Sequence, residues 1–149
     1  MKRDLLLLLA FWLGLVPFPG SAQMGMMHDG MSMRRHQFVM ANGLDTRYAT
    51  KQNPLKGTAD NIAAGKKLYE QNCAACHGKT GAGDGEAGKG LNPRPANVAA
   101  SSKMPIASDG YLFWTIAEGG IPIGTAMPPF KSTLKENDVW KIILYMRNL

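Results

Sequence analysis

The sequence predicts an all-α fold of three main helices joined by long loops, on three observations. After residue 57, apolar residues recur at helical spacing in three segments, each bounded by capping or breaking residues. Nowhere do β-branched and polar residues alternate over the length of a strand, so no strand pair is expected. The chain between the first and second segments is rich in Gly, Pro, Ala and Asn, which favours irregular backbone.

The first 22 residues read as a secretory signal rather than as part of this fold. Lys2 and Arg3 are followed by an unbroken apolar run from Leu5 to Val16, and "PFPGSA" supplies small residues for cleavage after Ala22. The run is about 12 residues, and a membrane span needs roughly 20. The expectation is therefore an exported, soluble periplasmic protein with no integral membrane segment once the signal is removed. Removing it takes away Lys2, Arg3 and Asp4 and lowers the formal charge from +6 to +5. The remaining basic residues are scattered, and an exported chain rarely meets nucleic acid. The charge balance points instead to acidic protein partners or anionic membrane surfaces, or to nothing more than a solvated surface.

Residues 23–57 read as a Met/His-rich extension and linker. Met24, Met26, Met27, His28, Met31 and Met33 crowd together, and soft thioethers with an imidazole suit Cu(I). The plainer alternative is a disordered, oxidisable terminus. "RRHQFVMAN" is a short helix candidate stopped by Gly43. His36 and Met40, four apart on it, are placed to cover a site or meet a partner.

The compact domain is expected at 58–149. Asp60 can cap "NIAAGKKLYEQN", which carries Ile62, Gly65 and Tyr69 on one face. Glycine inside a helix costs about 1 kcal/mol relative to alanine, so Gly65 implies a close helix contact. Ser108 and Asp109 open "GYLFWTIAE", and Gly119 with Gly120 closes it. Thr133-x-x-Glu136 forms a capping box ahead of "NDVWKIILYMRNL", where Val139, Ile143 and Met146 make one stripe with Trp140 and Leu144 beside it. Three short helices are a thin core for such a domain, so something else is expected to fill its middle.

The chemistry lies in "QNCAACHGKTGAGDGEAGKG". Cys73-x-x-Cys76-His77 is the attachment pattern of a c-type haem. Thiols three residues apart can form thioethers to two vinyl groups on one haem edge, and the histidine that follows is carried beneath the plane to bind iron. A structural zinc site wants further ligands at similar spacing, and only His28 and His36 remain, far upstream. A thioredoxin-like pair expects a preceding strand, and a plain disulfide closing so small a loop removes little chain entropy and leaves His77 unexplained. The same stretch contains G-x-G-x-x-G at Gly83, Gly85 and Gly88. A dinucleotide site needs that pattern between a strand and a helix, and here it follows a helix and precedes "KGLNPRP". It reads instead as a loop passing close to the haem edge.

A second axial ligand is expected after His77, from Met104, Met127 or Met146. Met146 belongs to the core stripe, and Met104 precedes the middle helix. Met127 in "GTAMPPF" is favoured, because Pro128 and Pro129 stiffen its loop and hold the thioether in place.

In order, Gly65 and Tyr69 before "CAACHG", the "GDG" turn, "LNPRPAN", "DGYLFWTIAEGG", "GTAMPPF" and "LKENDVWKIILYMR" resemble a small monohaem class I c-type cytochrome over 58–149. The resemblance implies a cytochrome c fold wrapped around one covalently bound haem c, with its first and last helices crossing where Gly65 and Tyr69 meet the Trp140 to Leu144 region. It implies His77 and Met127 as axial ligands, and a carbonyl of the "NPRP" loop, from Pro93 or Pro95, accepting the His77 ring N–H. Tyr111, Trp114 and Trp140 are expected to wall the haem. His/Met ligation leaves no open position on the iron, so the implied activity is one-electron transfer, as a shuttle or as the cytochrome partner of a larger redox enzyme. Lys79, Lys89, Lys103 and Lys131 would steer an acidic partner, and Ile121, Pro122 and Pro129 would form an apolar docking patch. Two alternatives stay open: a haem enzyme with a displaceable Met127, and a copper-handling cytochrome that uses the N-terminal Met/His stretch.

Overall fold

The computed structural model describes residues 30–149, with side chains from Met33 onward. The expected signal at 1–22 and the copper-binding expectation at Met24, Met26, Met27 and His28 lie outside the described residues, as does the side chain of Met31. The described residues contain helices and turns and no strand, as the patterning predicts.

Helix α1, Gly30–Asn42, ends at Gly43, which takes φ +76° and bonds its N–H to Val39 O at 2.8 Å. A single turn, α2, Thr46–Ala49, buries Tyr48 in the core. Phe38, Val39, Leu44 and Leu55 pack against the same core, so residues of the expected extension lie on the body of the domain.

Helix α3, Ala59–Asn72, starts two residues earlier than the sequence suggests. Thr58, not Asp60, is its N-cap, accepting from the Asn61 N–H, and Asp60 lies in the first turn, where a carboxylate favours the positive end of the helix dipole. One more turn, α4, Ala74–His77, continues it. After a long loop and the short turn α5, Val98–Ser101, comes α6, Asp109–Glu118, capped by Ser108 and closed by Gly119 at φ +62°. Almost every side chain of α6 is buried.

Helix α7, Glu136–Met146, has Lys135 at its N-cap position and no side-chain cap. The expected Thr133–Glu136 box does not form. Thr133 instead bonds Phe130 O within the preceding turn, and Glu136 reaches Lys51. Its buried face holds the expected stripe of Val139, Ile143 and Met146 together with Trp140 and Ile142, while Leu144, expected beside the stripe, is half-buried.

Helices α3 and α7 make the most extensive contact between elements. Their crossing is possible because Gly65 has no side chain: a Cβ there would collide with the Lys141 carbonyl, and Tyr145 Cβ would be only 3.1 Å away. Tyr69, one turn on, packs its ring against Tyr145 at 5.3 Å between centroids. The obstacle is main chain, which cannot swing aside, so Gly65→Ala is expected to cost about 3 kcal/mol or more, at the upper end of overpacking effects. Thermal unfolding should register this as a Tm drop on the order of 10 °C. Gly90→Ala, where the added methyl meets nothing, should hold the wild-type Tm or raise it slightly.

Candidate haem site

Between α3, α6 and the loops lies an apolar cavity of about 230 Å³. Cys73 and His77 line it from the end of α3 and from α4, and Ala96 and Val98 from the central loop and α5. Tyr111, Leu112, Thr115 and Ile116 line it from α6, Met146 from α7, and Met127 from the loop ahead of α7. The three downstream methionines weighed as ligands, Met104, Met127 and Met146, all reach this one cavity.

The turn carrying the cysteines is held from behind. Cys73 N bonds Tyr69 O at 2.8 Å and His77 N bonds Cys73 O at 2.9 Å, so the motif continues the helix and presents both thiols within one turn. Both cysteines are free and half-buried, and burial pushes the Cys73 thiol up to about 12. Cys73 lines the cavity, whereas Cys76 is not among its lining residues.

The glycines of the G-x-G-x-x-G pattern are not among the residues lining the cavity. They press onto the back of the Cys73–His77 turn. A Cβ on Gly85 would meet the carbonyls of Ala75 and Cys76, one on Gly88 the ring of Pro95, and one on Gly83 the carbonyl of Pro95. Gly85 N bonds Cys76 O at 3.1 Å and Gly83 N bonds His77 O at 2.8 Å. This loop thus buttresses the turn with its own backbone, which is why glycine recurs there.

His77 is 8% exposed. Its Nδ1 lies 2.9 Å from Ala96 O, and a carbonyl only accepts, so Nδ1 carries the proton and Nε2 keeps its lone pair. The acceptor is Ala96 rather than Pro93 or Pro95. Pro95 turns its carbonyl toward Gly83, and the chain reaches His77 one residue later. Burial lowers the His77 pKa, with the bond to Ala96 partly opposing it, so the imidazole is held neutral.

The Met127 loop is fastened to the end of α6. Gly120 N donates to Met127 O at 2.7 Å, and Phe130 N donates to Ile116 O and Ala117 O at 3.2 and 3.1 Å. Gly119 has no room for a side chain beside the Met127 and Pro128 carbonyls. Two free thiols in one turn, an imidazole with a free Nε2, a thioether on the same cavity and an apolar lining together fit a haem bound through thioethers.

Of the expected aromatic walls, only Tyr111 lines the cavity. Trp114 faces away and stacks on Phe38 at 5.9 Å, and Trp140 packs on Phe113 at 4.5 Å in the core. Sequence reasoning placed His36 over a site correctly, but Met40 is 71% exposed and does not reach it. It missed Arg35, Thr115 and Ile116, whose signal was only their place on helices flanking the cavity. Three of the four lysines expected to steer a partner are engaged: Lys131 pairs with Glu118 at 2.7 Å, Lys89 with Glu86 at 2.6 Å, and Lys103 with Leu149 O at 3.0 Å. In the expected docking patch Ile121 is 70% exposed, while Pro122 and Pro129 are half-buried.

The family model described as cytochrome c oxidase, cbb3-type, subunit III, matches residues 60–146. A cbb3-type cytochrome c oxidase subunit CcoP of Azospirillum sp. (strain B510) is 28% identical over 132 residues, 88% of this chain. The chain spans only 41% of the length of that curated relative. Among solved structures, the reducing HAO-like protein complex of Kuenenia stuttgartiensis matches with TM-score 0.55 and 28% identity, covering 64% of this chain and 46% of that one. Cytochrome cL of Methylophaga aminisulfidivorans MPT matches with TM-score 0.43 and 20% identity, covering 75% of this chain and 63% of that one. No helix among the described residues is long and apolar enough to cross a membrane.

Behind the turn, the buried Tyr69 hydroxyl donates to Gly78 O at 2.9 Å, tying α3 to the first residue after the motif. Tyr69→Phe removes one of that carbonyl's two donors, leaving the Gly81 N–H at 3.2 Å, and is expected to cost about 0.5–1.5 kcal/mol. Chemical denaturation should show a lower midpoint at an unchanged slope.

Proposed function

The chain belongs to the family described as cytochrome c oxidase, cbb3-type, subunit III, and on that membership we propose that residues 58–149 carry single electrons on one covalently attached haem c. Cys73 and Cys76 would hold it through two thioethers, and His77 and Met127 would supply the two protein ligands to its iron. The observation that carries this reading is that His77 Nε2, left free by the bond from Nδ1 to Ala96 O, and the thioether of Met127 belong to the same cavity. When bound, the haem supplies the one-electron couple. The chain's own residues do the rest.

Ala96 fixes the tautomer of His77 and makes its Nε2 a stronger donor. The bonds between the Met127 loop and α6 keep the thioether in place through oxidation and reduction, so little rearrangement accompanies each electron. The apolar lining excludes water and favours the less charged, reduced state. Were His77 and Met127 both to bind the iron, they would leave no position open to a substrate, so the chemistry the group would supply is electron transfer rather than bond-making.

The names of the relatives support a partner that is itself part of a redox complex: one is an oxidase subunit and one a reducing HAO-like protein complex. The signal-like pattern of 1–22 supports a periplasmic setting. Lys79, exposed and without an ion pair among the described residues, together with Ile121, marks the surface that such a partner with an acidic rim would use.

Met127→Ala is the deciding variant. Loss of the thioether should change the reduced spectrum and lower the reduction potential by on the order of 0.1 V or more, within the roughly 0.8 V over which axial ligands act. An unchanged spectrum and potential would assign the second ligand elsewhere. Separately, Cys73→Ala with Cys76→Ala should abolish haem staining of the denatured protein, and haem that persists through denaturation without either thiol would overturn covalent attachment.

A further inference from the structure

The buried cation Arg35 has no use in the reading above. Only 4% of its surface is exposed, and its guanidinium lies 5.0 Å from the centre of the Trp114 ring. Its Nη2 donates to Gly119 O at 2.8 Å, while Nη1 is buried with no hydrogen-bond partner. Among the described residues no carboxylate pairs with it, although carboxylates do pair with Arg47 and Arg147. Burial lowers its pKa to about 10, with the nearby Tyr111 opposing, and arginine stays charged even so. Buried charges in folded proteins are paired, so the surroundings of Arg35 lack an anion.

The cavity shows where that anion belongs. Arg35 lines it, and so do His36 and Thr115, whose Nδ1 and Oγ1 are also buried without partners. The other unpartnered groups, Thr125 Oγ1 and Arg147 Nε, belong to residues that do not line it. Unpartnered polar groups, one of them a donor-only guanidinium, therefore gather around one apolar cavity. The occupant that fits must be apolar over most of its surface and anionic at one edge. Haem has that form, a flat apolar ring with two propionate carboxylates on one side, and a guanidinium fork matches a carboxylate.

We propose that Arg35 is the counter-ion of a haem propionate, so that α1 clamps the acidic edge of the cofactor. The clamp comes from outside the unit shared with the family, whose match begins at residue 60. This inference rests on the haem reading of the cavity, and its test is separable from that reading.

The test uses the full haem-loaded protein with Arg35→Met, which keeps the apolar stem over Trp114 and removes the charge, and Arg35→Lys, which keeps the charge. The propionate bending band in resonance Raman reports hydrogen bonding to that carboxylate. It should leave its wild-type position in Arg35→Met and stay near it in Arg35→Lys, and the reduction potential should fall in the former and hold in the latter. A haem-loaded Arg35→Met protein with the wild-type band overturns the assignment while leaving the haem reading intact. A band that moves equally in both variants also counts against charge pairing.

Discussion

The contact between Gly65 and the main chain at Lys141 is the one on which the rest of the structure depends. It lets α3 and α7 approach until backbone meets backbone, with the Tyr69 and Tyr145 rings closing the gap one turn further on. Helix α3 runs straight into the Cys73–His77 turn, so this crossing also sets where the thiols and imidazole point. From α7 the same packing continues into Trp140 and Phe113 and so fixes α6, whose end holds the Met127 loop. The two proposed iron ligands, one on α4 and one on the loop ahead of α7, lie far apart in sequence, yet each is one rigid step from this crossing. A shift there would move them independently, which an electron carrier with two protein ligands tolerates poorly.

Much of this was legible because it depends on residue types with few alternatives. Cys73, Cys76 and His77 at their spacing admit little besides haem attachment, Gly65 within a helix announces a close neighbour, and Pro128 with Pro129 marks a stiffened loop. Helix starts were less legible, because Thr58 and Asp60 both cap well and only the chain direction before α3 chooses between them. Likewise Thr133 and Glu136 satisfy a capping pattern, but the turn from Phe130 captures Thr133 and Lys51 captures Glu136. Trp114 and Trp140 looked like cofactor walls because large aromatics suit either a core or a cofactor. Rotation about the helix axis decides, and a sequence specifies that only through all its neighbours at once.

The glycine-rich loop shows how one pattern can serve two unrelated constraints. In a dinucleotide site, glycines let a backbone approach a phosphate. Here Gly83, Gly85 and Gly88 let a backbone approach another backbone, the carbonyls behind the cysteine turn and the Pro95 segment. The common requirement is the absence of Cβ, so the motif alone reports only that something comes close. What comes close is decided by the element before it, and a helix ending in Cys73–His77 leaves no strand for a nucleotide fold.

The cavity and the hydrophobic core are not separate features of this protein. Tyr69, Tyr111, Leu112, Ile116 and Met146 belong to the core cluster and also line the cavity, so each packs against protein on one side and the cofactor space on the other. Interiors are close-packed, and lining atoms without neighbours forfeit their dispersion contacts. The core is therefore completed only by an occupant of the cavity, which answers the thinness that three short helices imply. On the attachment proposed at Cys73 and Cys76, the haem would be held at the end of α3, beside the α3–α7 pair, with α6 and the Met127 loop lining the same cavity. On this view the haem is as much a structural element as a redox one. The unpartnered polar groups of Arg35, His36 and Thr115 lie on that same cavity, on the side proposed above for the acidic edge of the haem.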